Sequence, residues 1–201
     1  MRNCIMTKVI LPAAAAGVLS ASSVVHLGFT DLSRLARRVV VGRIERMMSY
    51  QDPASGRIHS RVEIAESRSI AGAAPATFTF EMIGGTVGDL RQWLADFPQL
   101  REGDRVVLFL AEDTNTPFGP TIGLWQGVFF IDRDPLTGMD IIADHRRRPL
   151  AEIRGDEFIT ADTPAAQSNA AGTRRVGGAA RLTLDAFLNR VSTLRAEKTA
   201  R

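Results

Sequence analysis

Apolar positions along the chain change period several times, and each change marks an element. "TDLSRLARR", Thr30 to Arg38, sets Leu32, Leu35 and Ala36 on one helical face, with Thr30 as N-cap, Asp31 in the first turn and two arginines at the end. A short helix is predicted there. It runs into "VVVGRIERMMSYQ", which is β-branched at its start and has Gly42 where a strand can bulge or bend. In "RIHSRVEIAES" Ile58, Val62 and Ile64 alternate with His59, Arg61 and Glu63, and the turn chemistry of "QDPASG" joins the two runs as a hairpin. "ATFTFEMIGG" alternates again, Phe78, Phe80 and Met82 against Thr77, Thr79 and Glu81. "GDRVVLFLAED" is more continuously apolar, as a central strand is. "GLWQGVFFIDRDPLTGMDIIAD" reads as two strands joined around Asp134, Pro135 and Gly138. "GDLRQWLADF" spaces Leu90, Trp93, Leu94 and Phe97 for one face of a short helix, although over so few residues the pattern also admits a strand.

Short strands with little helix among them predict a mainly β domain, an antiparallel barrel or sandwich, over residues 24–153. Beyond Ile153 the chain turns small, polar and aperiodic, which predicts a flexible linker over 154–181. The segment 182–201 then reads as a helix. Thr183 is placed to cap it, Leu182 and Phe187 to staple it, and Leu184, Phe187, Leu188, Val191 and Leu194 form one apolar stripe that must be buried.

The first residues change the picture of where the protein works. Arg2 and Lys8 precede an apolar run from Val9 to Leu19, followed by small residues, the order of a secretory signal peptide over residues 1–23. The run falls short of the ~20 residues of a membrane span, and Pro12 weakens a helical one further, so an uncleaved anchor is the second reading. Cleavage after Ser23 or Ala21 removes Cys4, the only cysteine. An exported chain without cysteine has no disulfide framework, thiol nucleophile or Cys-rich zinc site. The formal charge of +3 includes Arg2 and Lys8, so the mature chain carries +1. Neither that balance nor any platform of interleaved aromatics points to nucleic acid, and no stable membrane insertion is expected after cleavage.

Candidate chemistry is sparse. The glycines of "EMIGGTVGDL" invite comparison with a phosphate loop, but a P-loop needs Lys and Ser or Thr where this loop has Gly88, Asp89 and Leu90. Gly84 and Gly85 therefore read as a turn with close backbone approach. His26, His59 and His145 are isolated from one another, without metal-ligand spacing, and no metal or cofactor is expected. Ser49, Ser55 and Ser60 lie near His59, but adjacent residues on a strand face opposite ways. The compact charge run "DHRRRP", with Arg146, Arg147 and Arg148, reads either as a solvated loop or as a site for an acidic partner. Trp125 reads either as half-buried core or as a recognition anchor.

The elements "VVVG" (Val39 to Gly42), Gly84 and Gly85, "FP" (Phe97 and Pro98), "EGDRVVLFL" (Glu102 to Leu110) and "QGVF" (Gln126 to Phe129) together resemble a group of exported bacterial proteins of unknown function. The resemblance covers Leu32 to Ile131. It implies an OB-type antiparallel β-barrel, similar in shape to the inhibitory domain of the tissue inhibitors of metalloproteinases, and some members occur beside secreted matrixin-like proteases. Those inhibitors engage zinc through an N-terminal cysteine, which the mature chain here lacks. The expected function is a non-enzymatic protein-binding module, exported to the periplasm or beyond, with a secreted protease as the implied partner. Binding is expected in loops at the barrel rim: Gly84 to Asp89, the loop around Phe118, and Arg146 to Arg148, with Trp125 beside them. A hydrolase using Asp104, Glu112 and Asp113 is the enzymatic alternative, and an envelope structural protein the third.

Overall fold

The runs "RVVLFL" and "VFFI" are apolar at nearly every position, and such strands are stable only where both faces of their sheet are covered. The computed structural model describes residues 24–73, 75–111, 119–161 and 180–199, with only the backbone at 66, 67, 198 and 199. It places these strands at the centre of a six-stranded antiparallel sheet. In chain order the elements are α1 (Phe29–Leu35), β1 (Arg38–Gln51), β2 (Ile58–Ala71), β3 (Phe78–Ile83), β4 (Gly85–Val87), β5 (Leu90–Gln92), β6 (Arg105–Leu110), a 3-10 turn (Leu124–Gly127), β7 (Val128–Arg133), β8 (Asp140–Ala143), β9 (Leu150–Arg154), β10 (Glu157–Thr160) and α2 (Leu184–Thr199). The large sheet runs β3-β2-β1-β6-β7-β8, and β9 with β10 and β4 with β5 form two small hairpins.

Alternate residues of the central strands feed two separate cores. Val39, Val107, Phe109 and Phe129 face a cluster completed by Phe29 and Leu32 of α1 and by Leu184, Phe187 and Val191 of α2. Val40, Val106, Leu108 and Phe130 face the other way, onto Val62, Phe80 and Met82 of the curled β2–β3 arm, with Phe97 and Leu100 over them. The pairing of β1 with β2 shifts register on either side of Gly42, and such irregularities bend a long strand.

The antiparallel, mainly β architecture agrees with the sequence, whereas no closed barrel forms among the described residues. The outer edge of β8 is already occupied. Ile142 N–H donates to Leu182 O at 3.0 Å, and Ile141 and Ala143 bridge to Thr183 and Pro149. A small gap is lined by Phe80 and Met82 of β3, Leu108 of β6 and Val128 of β7, with Phe97, Leu100 and Pro120 around it. Side chains rather than a hydrogen-bond ladder fill it.

Other expectations shift. Helix α1 starts two residues earlier than its pattern, with Gly28 rather than Thr30 as N-cap and no side-chain cap. Asp156 supplies the capping instead: its carbonyl accepts Phe29 N–H at 3.0 Å and its carboxylate accepts Thr30 N–H. A Cβ on Gly28 would lie 1.9 Å from that carboxylate. The expected linker over 154–181 begins too early, because Gly155, at φ 60°, turns β9 into β10, and Phe158 packs 5.9 Å from Phe29 and 5.1 Å from Phe129. The rest of that linker, 162–179, lies outside the described residues, as do the expected signal segment and the tip at Phe118. Helix α2 carries its predicted stripe inward, with Thr183 Oγ1 accepting Ala186 N–H at 3.3 Å. The helix pattern over 88–97 is not realised: Gly88 at φ 56° turns β4 into β5, and Trp93 stays 46% exposed. Among the described residues no helix is long and apolar enough to cross a membrane.

Candidate functional site

The 3-10 turn between β6 and β7 begins with two left-handed residues, Gly123 at φ 62° and Leu124 at φ 63°. This reversal presents Trp125 and Gln126 at one end of the sheet. Gln126 uses its whole amide: Oε1 accepts Leu27 N–H at 2.8 Å, and Nε2 donates to Val25 O at 2.9 Å and Gly123 O at 3.2 Å. It thereby clamps residues 25–27 against the turn much as a neighbouring strand would. The clamped segment walls a cavity of about 390 Å³ whose other sides are Trp125, Phe129, Phe158 and His145.

The loop from Asp144 to Arg148 closes that end. Asp144 is buried, and its Oδ1 accepts the backbone N–H groups of Arg146 and Arg148, each at 2.9 Å, while Oδ2 accepts Arg148 Nε at 2.8 Å. The loop is therefore organised around one carboxylate. Arg147 adopts φ 61°, and its guanidinium lies 3.8 Å over the Phe130 ring, bonded to Asp104 at 2.6 Å and Gln99 O at 3.2 Å. Arg146 pairs with Asp96. Each guanidinium of the run thus faces its own carboxylate, so the run is not a surplus of positive charge.

His145 stands between two concavities. It lines the apolar cavity on one side and, on the other, a polar cleft of about 370 Å³ bounded by Asp96, Gln99, Arg101, Arg146 and Arg147. Its ring lies 6.3 Å from that of Trp125, which in turn lies 5.6 Å from Phe97. The Nε2 atom is buried without a hydrogen-bond partner. Burial pushes the imidazole below its ordinary value, more strongly than the nearby Asp144 carboxylate pulls it up.

Of the sequence candidates, Trp125, Arg146, Arg147 and Arg148 come together here. Gly84 and Gly85 do not: they are buried beside a separate pocket of about 250 Å³ flanked by Trp93 and Phe97. Ser60 Oγ donates to Gly84 O at 2.7 Å and lies 2.9 Å from Ser49 Oγ, and a Cβ on Gly85 would come within 2.4 Å of Ser49 Oγ. The pair turns a corner tightly over two hydroxyls. Ser49 and His59 face opposite sides, His59 stacking 5.9 Å from Tyr50 and Ser55 bonding to Asp52. Asp104 is held by Arg147 and by Arg101 N–H at 2.7 Å, while Glu112 and Asp113 lie outside the described residues. Among the described residues no three His, Cys, Asp or Glu side chains gather as metal ligands.

Sequence reasoning missed three contributors. In the sequence Gln126 stands in "QGVF" without a role of its own, His145 is an isolated histidine, and Arg101 carries no local signal. Comparisons with protein-family models, curated proteins and solved structures give no match to the chain.

Proposed function

We propose that the chain is an exported protein-binding module acting through the cavity beside Trp125. One observation carries this reading: a half-open aromatic concavity built from four separate elements, each pinned by hydrogen bonds rather than left to adapt. Preformed apolar pockets with a few convergent polar groups are the usual anchor sites for a partner's side chain. The order β3-β2-β1-β6-β7 supports an OB-type reading, that of a partly open barrel with its seam plugged by side chains. The charged, apolar and small-residue order of the first 23 residues supports export. The resemblance noted in the sequence makes an exported protease the first partner class to test. For the hydrolase alternative, Asp104 is committed to Arg147, and no observation favours it.

A photoreactive benzoylphenylalanine in place of Glu157, on the cavity rim, tests the reading. It should crosslink to a discrete protein of the native exported fraction, whereas the same group in place of Leu136, exposed on the distant β7–β8 turn, should not. Equal labelling from both positions, or none, refutes the site. N-terminal sequencing of the native protein should begin at Ser22 or Val24; recovery of the full-length chain in the cytosol refutes export.

A further inference from the structure

The two concavities that share His145 differ in chemistry. The first has an apolar floor of Leu27, Trp125, Phe129 and Phe158 with Asp144, Arg148 and Glu157 along its polar side, whereas the second sets Arg101, Arg146 and Arg147 against the single carboxylate of Asp96. The three guanidiniums are not equivalent. Arg147 is anchored over Phe130 and paired with Asp104, so it forms a wall. Arg146 and Asp96 are an exposed pair, with side chains 53% and 40% accessible, and exposed pairs are worth only ~0–1 kcal/mol and exchange readily. Arg101 is exposed, and among the described residues no carboxylate pairs with its side chain. With Asp96 set against Arg146 and Asp104 against Arg147, the cleft retains one unmatched cation, Arg101.

The geometry points to a partner segment in which an apolar side chain, seated beside Trp125, is followed directly by an internal Asp or Glu whose carboxylate crosses His145 into the cleft between Arg101 and Arg146. This rests on the binding-module reading above and adds the chemistry of the partner. Charge complementarity selects the acid: a neutral polar residue there would leave Arg101 unpaired, and a basic one would face like charge.

The test is a random heptapeptide library displayed on phage and panned against the exported form of the protein, followed by titration of the consensus as a synthetic peptide. Enriched sequences should carry Leu, Ile, Met or Phe next to Asp or Glu. Changing that acid to its amide should weaken binding about five-fold, the equivalent of ~1 kcal/mol. The acid-to-amide ratio should fall to about one in the double variant Arg101→Ala, Arg146→Ala, whose exposed side chains leave thermal unfolding nearly unchanged. Trp125→Ala should weaken acid and amide peptides alike. Failure to enrich any sequence overturns the underlying binding reading. Enrichment without an acid, or an acid preference that survives the double variant, overturns this inference alone and leaves that reading standing.

Discussion

Arg147 and Arg146 are neighbours of identical type, and the structure assigns them opposite weight. Truncating Arg147 removes a guanidinium stacked 3.8 Å over Phe130, worth ~1 kcal/mol or somewhat more when partly desolvated. It also removes the bond to Asp104, whose side chain is only 14% exposed and is left with less compensation. A charge-assisted hydrogen bond of this kind is worth ~1.5–3 kcal/mol, discounted because the arginine side chain is itself 35% exposed. Arg147→Ala should therefore cost about 2–3 kcal/mol. Arg147→Gly loses the same contacts but relieves the left-handed backbone, a gain of ~1 kcal/mol, so it should cost less than the alanine variant. Arg146→Ala breaks only an exposed ion pair and should stay within about 1 kcal/mol. Urea unfolding at constant m-value resolves all three. If Arg146→Ala costs as much as Arg147→Ala, the anchoring role is wrong; if Arg147→Gly proves worse than Arg147→Ala, the backbone argument is wrong.

Three further outcomes follow from the packing and the site. Phe187→Ala, at a fully buried ring within 5.1 Å of Phe129 and 5.5 Å of Phe29, should cost ~3–5 kcal/mol in chemical denaturation, and a loss under 1 kcal/mol would mean that α2 is not docked. Gly85→Ala combines φ 139° with a Cβ 2.4 Å from Ser49 Oγ, so it should cost ~2 kcal/mol or more, and a neutral result in thermal unfolding would rule out the tight corner. His145 is held neutral by burial, so below its ordinary value near 6.5 the unfolded chain takes up a proton that the folded one refuses. Stability should then fall as pH drops below that value and level off beneath the folded pKa. His145→Gln should flatten the slope between pH 7 and 5.5; identical slopes would show that the imidazole titrates freely.

The long strands and both helices were legible because their periods are local. The continuous apolar run of "RVVLFL" marks a central strand, "GVFFIDRDPLTGMDIIAD" marks a hairpin, and the stripe Leu184, Phe187, Leu188 and Val191 marks a docked helix. What was illegible depends on who meets whom. Nothing near Ile142 says that Leu182 will occupy its edge in place of another strand, and neither the strand count, which points to a barrel or sandwich, nor the resemblance, which implies an OB-type barrel, registers that edge. The spacing of Leu90, Trp93, Leu94 and Phe97 suits a helix, but Gly88 and Asp89 form a turn that a periodic count ignores.

The candidate site shows the same divide in electrostatics. In one dimension "HRRRP" is the most compact run of positive charge, three consecutive arginines, and a partner of opposite charge is one natural inference. In three dimensions the fold brings Asp96 to Arg146 and Asp104 to Arg147, while Asp144 serves Arg148 from within the loop. Charge that is matched inside the molecule attracts nothing at long range beyond its dipole. The cation left over is Arg101, which stands in "PQLREGD" between residues of no net basic character. Selectivity for an acidic partner should therefore follow Arg101, outside the arginine run, together with the exchangeable Arg146 beside it, and replacing Arg148, whose charge is matched by Asp144, should alter loop stability while leaving the acid preference of binding intact.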